Sequence, residues 1–446
     1  MKKTALLLGV FLVLAAASCT KTGRQGGQKY NIILVTIDAL RADHLSAYGY
    51  PYETSPQIDE FARKSILFEY AYCPIPKTSA SFASLMTGLH PFVHRTRPNR
   101  DALKKEYITL AEALKLKGYF NSAIIDNANL SQKFNFNQGF DRYIEAWDEI
   151  SAKEESTPYL TRQVLKFLGE NRQSPFFLWV HYVETHNPYL PPAEFIESRP
   201  QGRFIKDIEP KTIAGNFKYL EDNSTEGFFI AQYDGAVKYI DAEFRKILDV
   251  IKQRGYDKNS IILLSSDHGE ELGEHNYFFN HGPLTFNSSI RVPLIISIPG
   301  VHSRRIKYPV SLMDIYPTLL DKVGLVPPYQ IQGRHLLEKP KDRYLLIRGY
   351  PGSRAVVYEK YHLIRIEEPL AKELGLATEY LFDLWKDPEE KDNIVKSEKI
   401  RQRLMDERYL EFFNRYRSYG EFDASEKQPP LSEKELEQLR TLGYIQ

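Results

Sequence analysis

A chain of 446 residues with 42% hydrophobic and 26% charged residues can bury a substantial core, enough for one large domain and a smaller one. Its formal net charge of +1 supplies no global field for nucleic acid or an anionic membrane surface, and no basic stripe accompanies its 29 Tyr and 25 Phe. Two cysteines exclude a disulfide framework as the organising principle.

The first 19 residues read as an address rather than as structure. Lys2 and Lys3 precede an apolar run over residues 5–17, shorter than the ~20 residues a membrane span needs. Ala16, Ala17 and Ser18 lead directly into Cys19. This pattern resembles a bacterial lipoprotein signal, although Ala16 stands where such signals usually carry a larger aliphatic. The expectation is export, with the Cys19 thiol acylated and the protein anchored to a membrane of the bacterial cell envelope, facing the periplasm or the exterior. Plain secretion is the alternative. Residues 20–29 form a polar tether.

The folded part opens with residues 31–37 (NIILVTI), a β-branched run without alternation that suits a strand buried on both faces. Helix is expected over 110–116, strand over 121–125 and helix over 159–168. An apolar strand follows over 176–183 (FFLWVHYV), then a helix over 228–254 that Gly255 stops. Two further apolar strands are expected over 260–265 (SIILLS) and 292–298 (VPLIISI). This alternation predicts an α/β sandwich with a mainly parallel central sheet over residues 30–332. Residues 333–446 change to short strands, charged turns and a polar helix, read as a smaller C-terminal α+β subdomain. Residues 191–223 read as a loop region covering the cleft.

In such sheets ligands bind beyond the carboxyl ends of the strands, where Asp38, Asp267-His268 and His186 fall. A carboxylate at the end of an apolar strand is costly unless solvated, paired or metal-bound; alone, Asp38 serves equally well as a helix cap. Asp267 and His268 offer adjacent oxygen and nitrogen ligands, and Gly269 lets the backbone approach closely. Together with Asp38 they suit a hard or borderline divalent cation. Thr78 opens a helix closed by Gly88. It can be a plain cap, or a nucleophile whose alkoxide is favoured by the helix end and a cation.

The motifs then resemble the sulfatase and alkaline phosphatase superfamily over nearly the whole chain after the signal. The matching pieces are NIILVTIDALRADHLSAYGY, TSASFASLMTGLHP, HYVETHNPY, SSDHGEELGEH, NSSIRVPLII, VSLMDIYPTLLDKVGL, YLFDLWKDPEEKDN and LRTLGYIQ, in family order. The resemblance implies an alkaline-phosphatase-like fold. It also implies one divalent cation (Ca, Mg or Mn, with Zn open) on Asp38, Thr78, Asp267 and His268, and substrate-side roles for His186 and His281.

Departures from the pattern narrow the class. Counting back from Thr87-Gly88 puts Thr78 where sulfatases carry the Cys or Ser that becomes formylglycine, so no formylglycine is expected. Cys73 lies too far from Thr87-Gly88, with Ile75 and Lys77 where that motif has Pro and Arg, and reads as a small buried hydrophobe. Phe82 replaces the motif's arginine, Asp126-Asn127-Ala128 replace its Lys-x-His, and Ala39 replaces the second Asp of its metal pair. Asn127 is a loose candidate for substrate contact; His94 and His275 are further guesses, each read in preference as a satisfied surface or core histidine. A threonine nucleophile resembles that of the superfamily's phosphodiesterases and phosphoryl transferases. The expected activity is therefore hydrolysis of a phosphate, phosphonate or sulfate ester of a small molecule, glycan or lipid. The alternatives are a true sulfatase working without formylglycine and an inactive lipid-anchored binding protein.

Overall fold

A computed structural model describes residues 30–98, 101–150, 155–170, 175–199, 202–204, 225–416 and 431–441. The signal and tether with Cys19, most of the 191–223 loop and the last five residues lie outside the described residues. Among those described, eight strands form the central sheet: β1 (Asn31–Ile37), β2 (Ile66–Phe68), β3 (Phe120–Ile125), β4 (Arg142–Glu145), β5 (Phe176–Tyr182), β6 (Ser260–Ser266), β7 (Leu294–Ser297) and β8 (Arg304–Ile306). Their order is β8-β2-β7-β6-β1-β5-β3-β4. The run β6-β1-β5-β3-β4 is parallel throughout, and β7 lies antiparallel to β6 and β2. Pro293 interrupts the predicted 292–298 strand, because proline cannot donate to the ladder; Arg291 and Val292 pair elsewhere, with Tyr72 and Ala71.

The sheet is central because both its faces are apolar. Ile32 and Leu34 point into one core, while Ile33, Val35 and Ile37 point into the other. The first core receives helix α2 (Thr78–Thr87) through Phe82, Ala83, Leu85 and Met86. The second receives helices α1 (Pro56–Arg63), α3 (Ser156–Gly169) and α4 (Glu226–Gln253), through residues such as Phe61, Val164, Phe244 and Ile247. The result is the predicted α/β sandwich with its mainly parallel sheet.

A second sheet is antiparallel and sequential: β9 (Tyr344–Arg348), β10 (Ser353–Tyr358), β11 (Tyr361–Ile366) and β12 (Glu379–Asp383). Its alternation places Leu345, Ile347, Val357 and Ile364 against the first core. Leu346, Val356 and Leu363 face helix α5 (Lys399–Tyr416) at Met405 and Tyr409. Helix α6 (Glu433–Thr441) returns to the main body, where Gln438 accepts from the Ala128 amide and donates to Asp126. No helix among the described residues is long and apolar enough to cross a membrane.

Candidate active site

Four adjacent parallel strands, β6, β1, β5 and β3, deliver the polar residues side by side. Asp38 follows β1, Asp267 and His268 follow β6, Asn127 follows β3, and His181 is the penultimate residue of β5. The register sets Thr36 of β1 beside His181. Ring and carboxylate atoms of Asp38, His181 and Asp267 lie within 4.8 Å of one another. The His268 Nε2 is 3.5 Å from Asp38 Oδ1, 3.3 Å from Asp267 Oδ2 and 3.2 Å from the Thr78 hydroxyl. All five side chains are buried.

Hydrogen bonding fixes which atoms face this centre. The Thr36 hydroxyl contacts the Val180 carbonyl at 3.0 Å, Trp179 Nε1 at 2.9 Å and His181 Nδ1 at 3.0 Å. A hydroxyl has one proton and two lone pairs, so all three contacts are satisfied when it donates to Val180 and accepts from the indole and from His181 Nδ1–H. That tautomer leaves a lone pair on His181 Nε2, 3.4 Å from Asp38 Oδ2. His268 repeats the arrangement: its Nδ1 donates to the Gly269 carbonyl at 2.9 Å, and Nε2 turns a lone pair inward. Burial pushes the His268 ring down to about 3, so the ring is neutral near neutrality.

Ligand atoms of His181 and two carboxylates thus lie within 4.8 Å of one another, and the His268 lone pair borders the two carboxylates at 3.3–3.5 Å. Among the described residues, Asp38 Oδ1, His181 Nε2 and Asp267 Oδ2 have no hydrogen-bond partner. Burial, then the Asp38 charge, pushes the Asp267 carboxyl far above the carboxylate range, because two carboxylates cannot both ionise here uncompensated. A divalent cation bound by oxygen and nitrogen would satisfy all of these groups at once, and the donor set fits one.

Around the centre lie the remaining polar groups. Asn127 Nδ2 donates to Asp38 Oδ2 at 2.6 Å, so Asn127, a loose candidate for substrate contact from the sequence, orients a carboxylate of the centre. His186 donates from Nδ1 to the Asn187 carbonyl at 2.7 Å, and its ring lies 5.0 Å from that of His281. His281 stacks on His268 at 3.9 Å, with Nδ1 3.2 Å from Glu270. Burial depresses both His186 and His281. Lys77, the residue before Thr78, is half-buried near Asp38 and Glu270, and burial pushes its ammonium down to about 8.

Two histidines of the sequence reading stand apart. His94 is satisfied by the Ser84 hydroxyl and the Thr96 amide, and His275 pairs with Glu271 and stacks on Phe286. Cys73 is buried, and burial pushes its thiol far above the usual range, as a small hydrophobe requires. The Glu184 carboxyl is held by the Thr157 hydroxyl, and burial raises it to about 7.

With this geometry in place, the comparisons with known proteins are specific. The sulfatase family model matches residues 30–325, and the model of the N-sulphoglucosamine sulphohydrolase C-terminal region matches residues 273–411. The chain belongs to the sulfatase family. It is 26% identical to a sulfatase of Formosa agariphila, over 90% of this chain and 89% of that protein. It is 26% identical to an arylsulfatase of Clostridium perfringens, over 84% of this chain and 92% of that protein. The structure of the phosphonate monoester hydrolase of Agrobacterium radiobacter shares the fold with a TM-score of 0.70 at 20% identity, covering 87% of this chain and 96% of that one. The protein is therefore an ester hydrolase of the sulfatase family, whose members bind a divalent metal.

The structure brings Asp38, Thr78, Asp267, His268, His186 and His281 together, as the sequence reading grouped them. That reading missed His181, Lys77 and Glu270. A histidine inside an otherwise apolar strand, which must find a buried partner, was the available signal for His181. Lys77 and Glu270 stand next to motif residues and carry no distinguishing pattern of their own.

Proposed function

We propose that this sulfatase-family protein cleaves an anionic ester with Thr78 as nucleophile, and that phosphate or phosphonate esters are preferred over sulfate esters. The observation that carries the reading is the position of Thr78. Its hydroxyl is buried at the N-terminus of α2 and 3.2 Å from His268 Nε2, at the edge of the converging lone pairs. A helix end and a neighbouring cation both favour an alkoxide there. Threonine cannot become formylglycine, so the hydroxyl itself must act.

In this reading Asp38, Asp267, His268 and Thr78 hold the cation, as expected from the sequence, and His181 joins them. When bound, that ion lowers the hydroxyl's pKa and offsets charge developing on the ester oxygens. Thr78 Oγ1 forms the bond to phosphorus as the bond to the leaving oxygen breaks. His186 and His281 pass the threonine proton to the departing alcohol. Water then displaces phosphate from phospho-threonine and returns the proton to Thr78. Sugar sulfates are the second substrate class to assay, because one relative is an ulvan-active sulfatase and a protein sharing the fold was solved in complex with its substrate D-glucosamine-2-N,6-O-disulfate.

The test is a panel of aryl sulfate, phosphomonoester, phosphodiester and phosphonate monoester, run with the full chain loaded in turn with Ca, Mg, Mn and Zn. Turnover of phosphorus esters, abolished in Thr78→Ala with covalent phosphate trapped on Thr78, is the expected result. Turnover of sulfate alone overturns the preference, and an active Thr78→Ala overturns the nucleophile. Attachment to the envelope through Cys19 is proposed from the signal pattern. Cys19→Ala should move the protein from the membrane to the soluble fraction, and an unchanged distribution refutes it.

A further inference from the structure

An anionic ester needs a hydrogen-bond donor or cation of the protein's own beside the metal, and the groups facing this centre are mostly acceptors. The carboxylates and the inward Nε2 atoms of His181 and His268 offer lone pairs. Arg41 lies close in sequence to Asp38, but its guanidinium is occupied by Asp43, Glu274 and the Glu270 carbonyl. At the fourth residue after Thr78, Phe82 packs its ring against His181 at 4.8 Å and Trp179 at 5.0 Å. That face of the helix therefore presents no charge.

Lys77 is different. Among the described residues its ammonium forms no hydrogen bond and no ion pair within 4 Å, yet its field reaches Asp38, Glu270, His186, His268 and His281. Its path is built for it. A Cβ on Gly282 would lie 2.2 Å from Lys77 Cε and 2.9 Å from Nζ, so the lysine chain lies across the bare glycine immediately after His281. Gly282 also has φ +120°, a conformation that side chains rarely adopt. A flexible four-carbon stem is thus laid in a slot and delivers its charge to the residues around the nucleophile.

We propose that Lys77 is the substrate-oxyanion ligand of this site, its ammonium receiving a non-bridging anionic oxygen of the ester that Thr78 attacks. The inference rests on the ester-hydrolase reading and adds to it a residue and a charge preference. The second negative charge of a phosphomonoester gains most from this cation; a sulfate or phosphonate monoester, with one charge, gains less.

The test uses the full, metal-loaded chain and two readouts: calorimetric binding of inorganic orthophosphate, and kcat/KM on a dianionic phosphomonoester beside a monoanionic phosphonate monoester. Lys77→Met should weaken orthophosphate binding about tenfold or more and lower kcat/KM by roughly 10²-fold, with the larger loss on the dianion. Lys77→Arg should recover part of both, and the melting temperature of Lys77→Met should not fall. Gly282→Ala should reproduce the charge-dependent loss by displacing the stem. Lys77→Met with parental phosphate affinity and an unchanged dianion-to-monoanion ratio overturns the proposal, as does a parent chain that binds no orthophosphate. A parent that turns over no ester while Lys77→Met still loses phosphate affinity keeps the anion ligand and refutes only the ester chemistry.

Discussion

Gly269→Ala is the sharpest probe of how the backbone places Asp267 and His268, the residues proposed to hold the cation. The Gly269 and Glu270 amides donate to the carbonyls of Ser289 and Ser288 at 2.8 and 2.9 Å, which pins the segment carrying Asp267 and His268. A methyl on residue 269 would lie 1.9 Å from the Ser288 carbonyl oxygen and 3.0 Å from its carbon. Relaxing this to ordinary contact at ~3.5 Å means that the two segments separate by roughly 1.5 Å, since neither neighbour is a flexible side chain. Overpacking of this kind costs about 1–3 kcal/mol of stability. A misplacement of ~1 Å at reacting groups costs on the order of 10² in rate. The variant should therefore lose about a hundredfold or more in kcat/KM and bind its divalent ion more weakly, while urea melts show a modest loss. The assay is ester turnover and metal titration on the same preparation. Turnover within threefold of the parent, with unchanged metal affinity, would show that the close approach is incidental.

Two further outcomes follow from buried polar groups. Thr36→Val keeps the strand but removes the acceptor of Trp179 Nε1 and His181 Nδ1, so it should cost about 1–3 kcal/mol in stability and roughly 10–100-fold in metal affinity. Metal binding equal to the parent would refute the assignment of the His181 tautomer. Asp241 caps the first turn of α1 by accepting from Gln57 and Ile58, yet burial raises its carboxyl from 3.8 to about 7. A raised acid binds an extra proton in the folded state, so its cost is absent below pH ~4 and grows as the pH rises towards 7. Asp241→Asn should consequently gain stability relative to the parent between pH 5 and pH 8 in denaturant melts, and a difference independent of pH would count against it.

The fold was legible because its signals are local. Apolar strands such as NIILVTI and SIILLSS read correctly from period and composition, and the parallel order follows from their alternation with helices. Asp38, Asp267, His268 and Thr78 were legible because each stands at an element end, where the chain passes from core to crevice. Other features depend on contacts far apart in sequence. The role of His181 arises from Thr36, a strand away and 145 residues earlier, and no period in either segment announces it. The hydrogen bond from Asn127 to Asp38 was not legible either, because it arises where β3 reaches the same crevice two strands from β1. The break at Pro293 was visible as a residue, but its effect on pairing was not: the antiparallel placement of β7 is set by the neighbours β6 and β2.

Helix α2, which Thr78 opens, shows how the two halves of the site are held as one. Five of the ten residues of α2 are Ser or Thr, a composition with weak intrinsic helix preference, and yet all ten are buried. Its hydroxyls do what propensity does not. Ser81 donates to the Asp267 carbonyl at 2.7 Å, Ser84 meets His94 at 2.9 Å, and Thr87 bonds back to Ala83 at 2.6 Å. The bond from Ser81 ties the turn carrying Thr78 directly to the segment carrying Asp267 and His268. The proposed nucleophile and the residues proposed to hold the cation come from segments nearly two hundred residues apart, so their relative position must be fixed by contacts of this kind. The polar face of α2 is thus the joint between the two segments, and it accounts for a run of buried hydroxyls that packing alone would not favour.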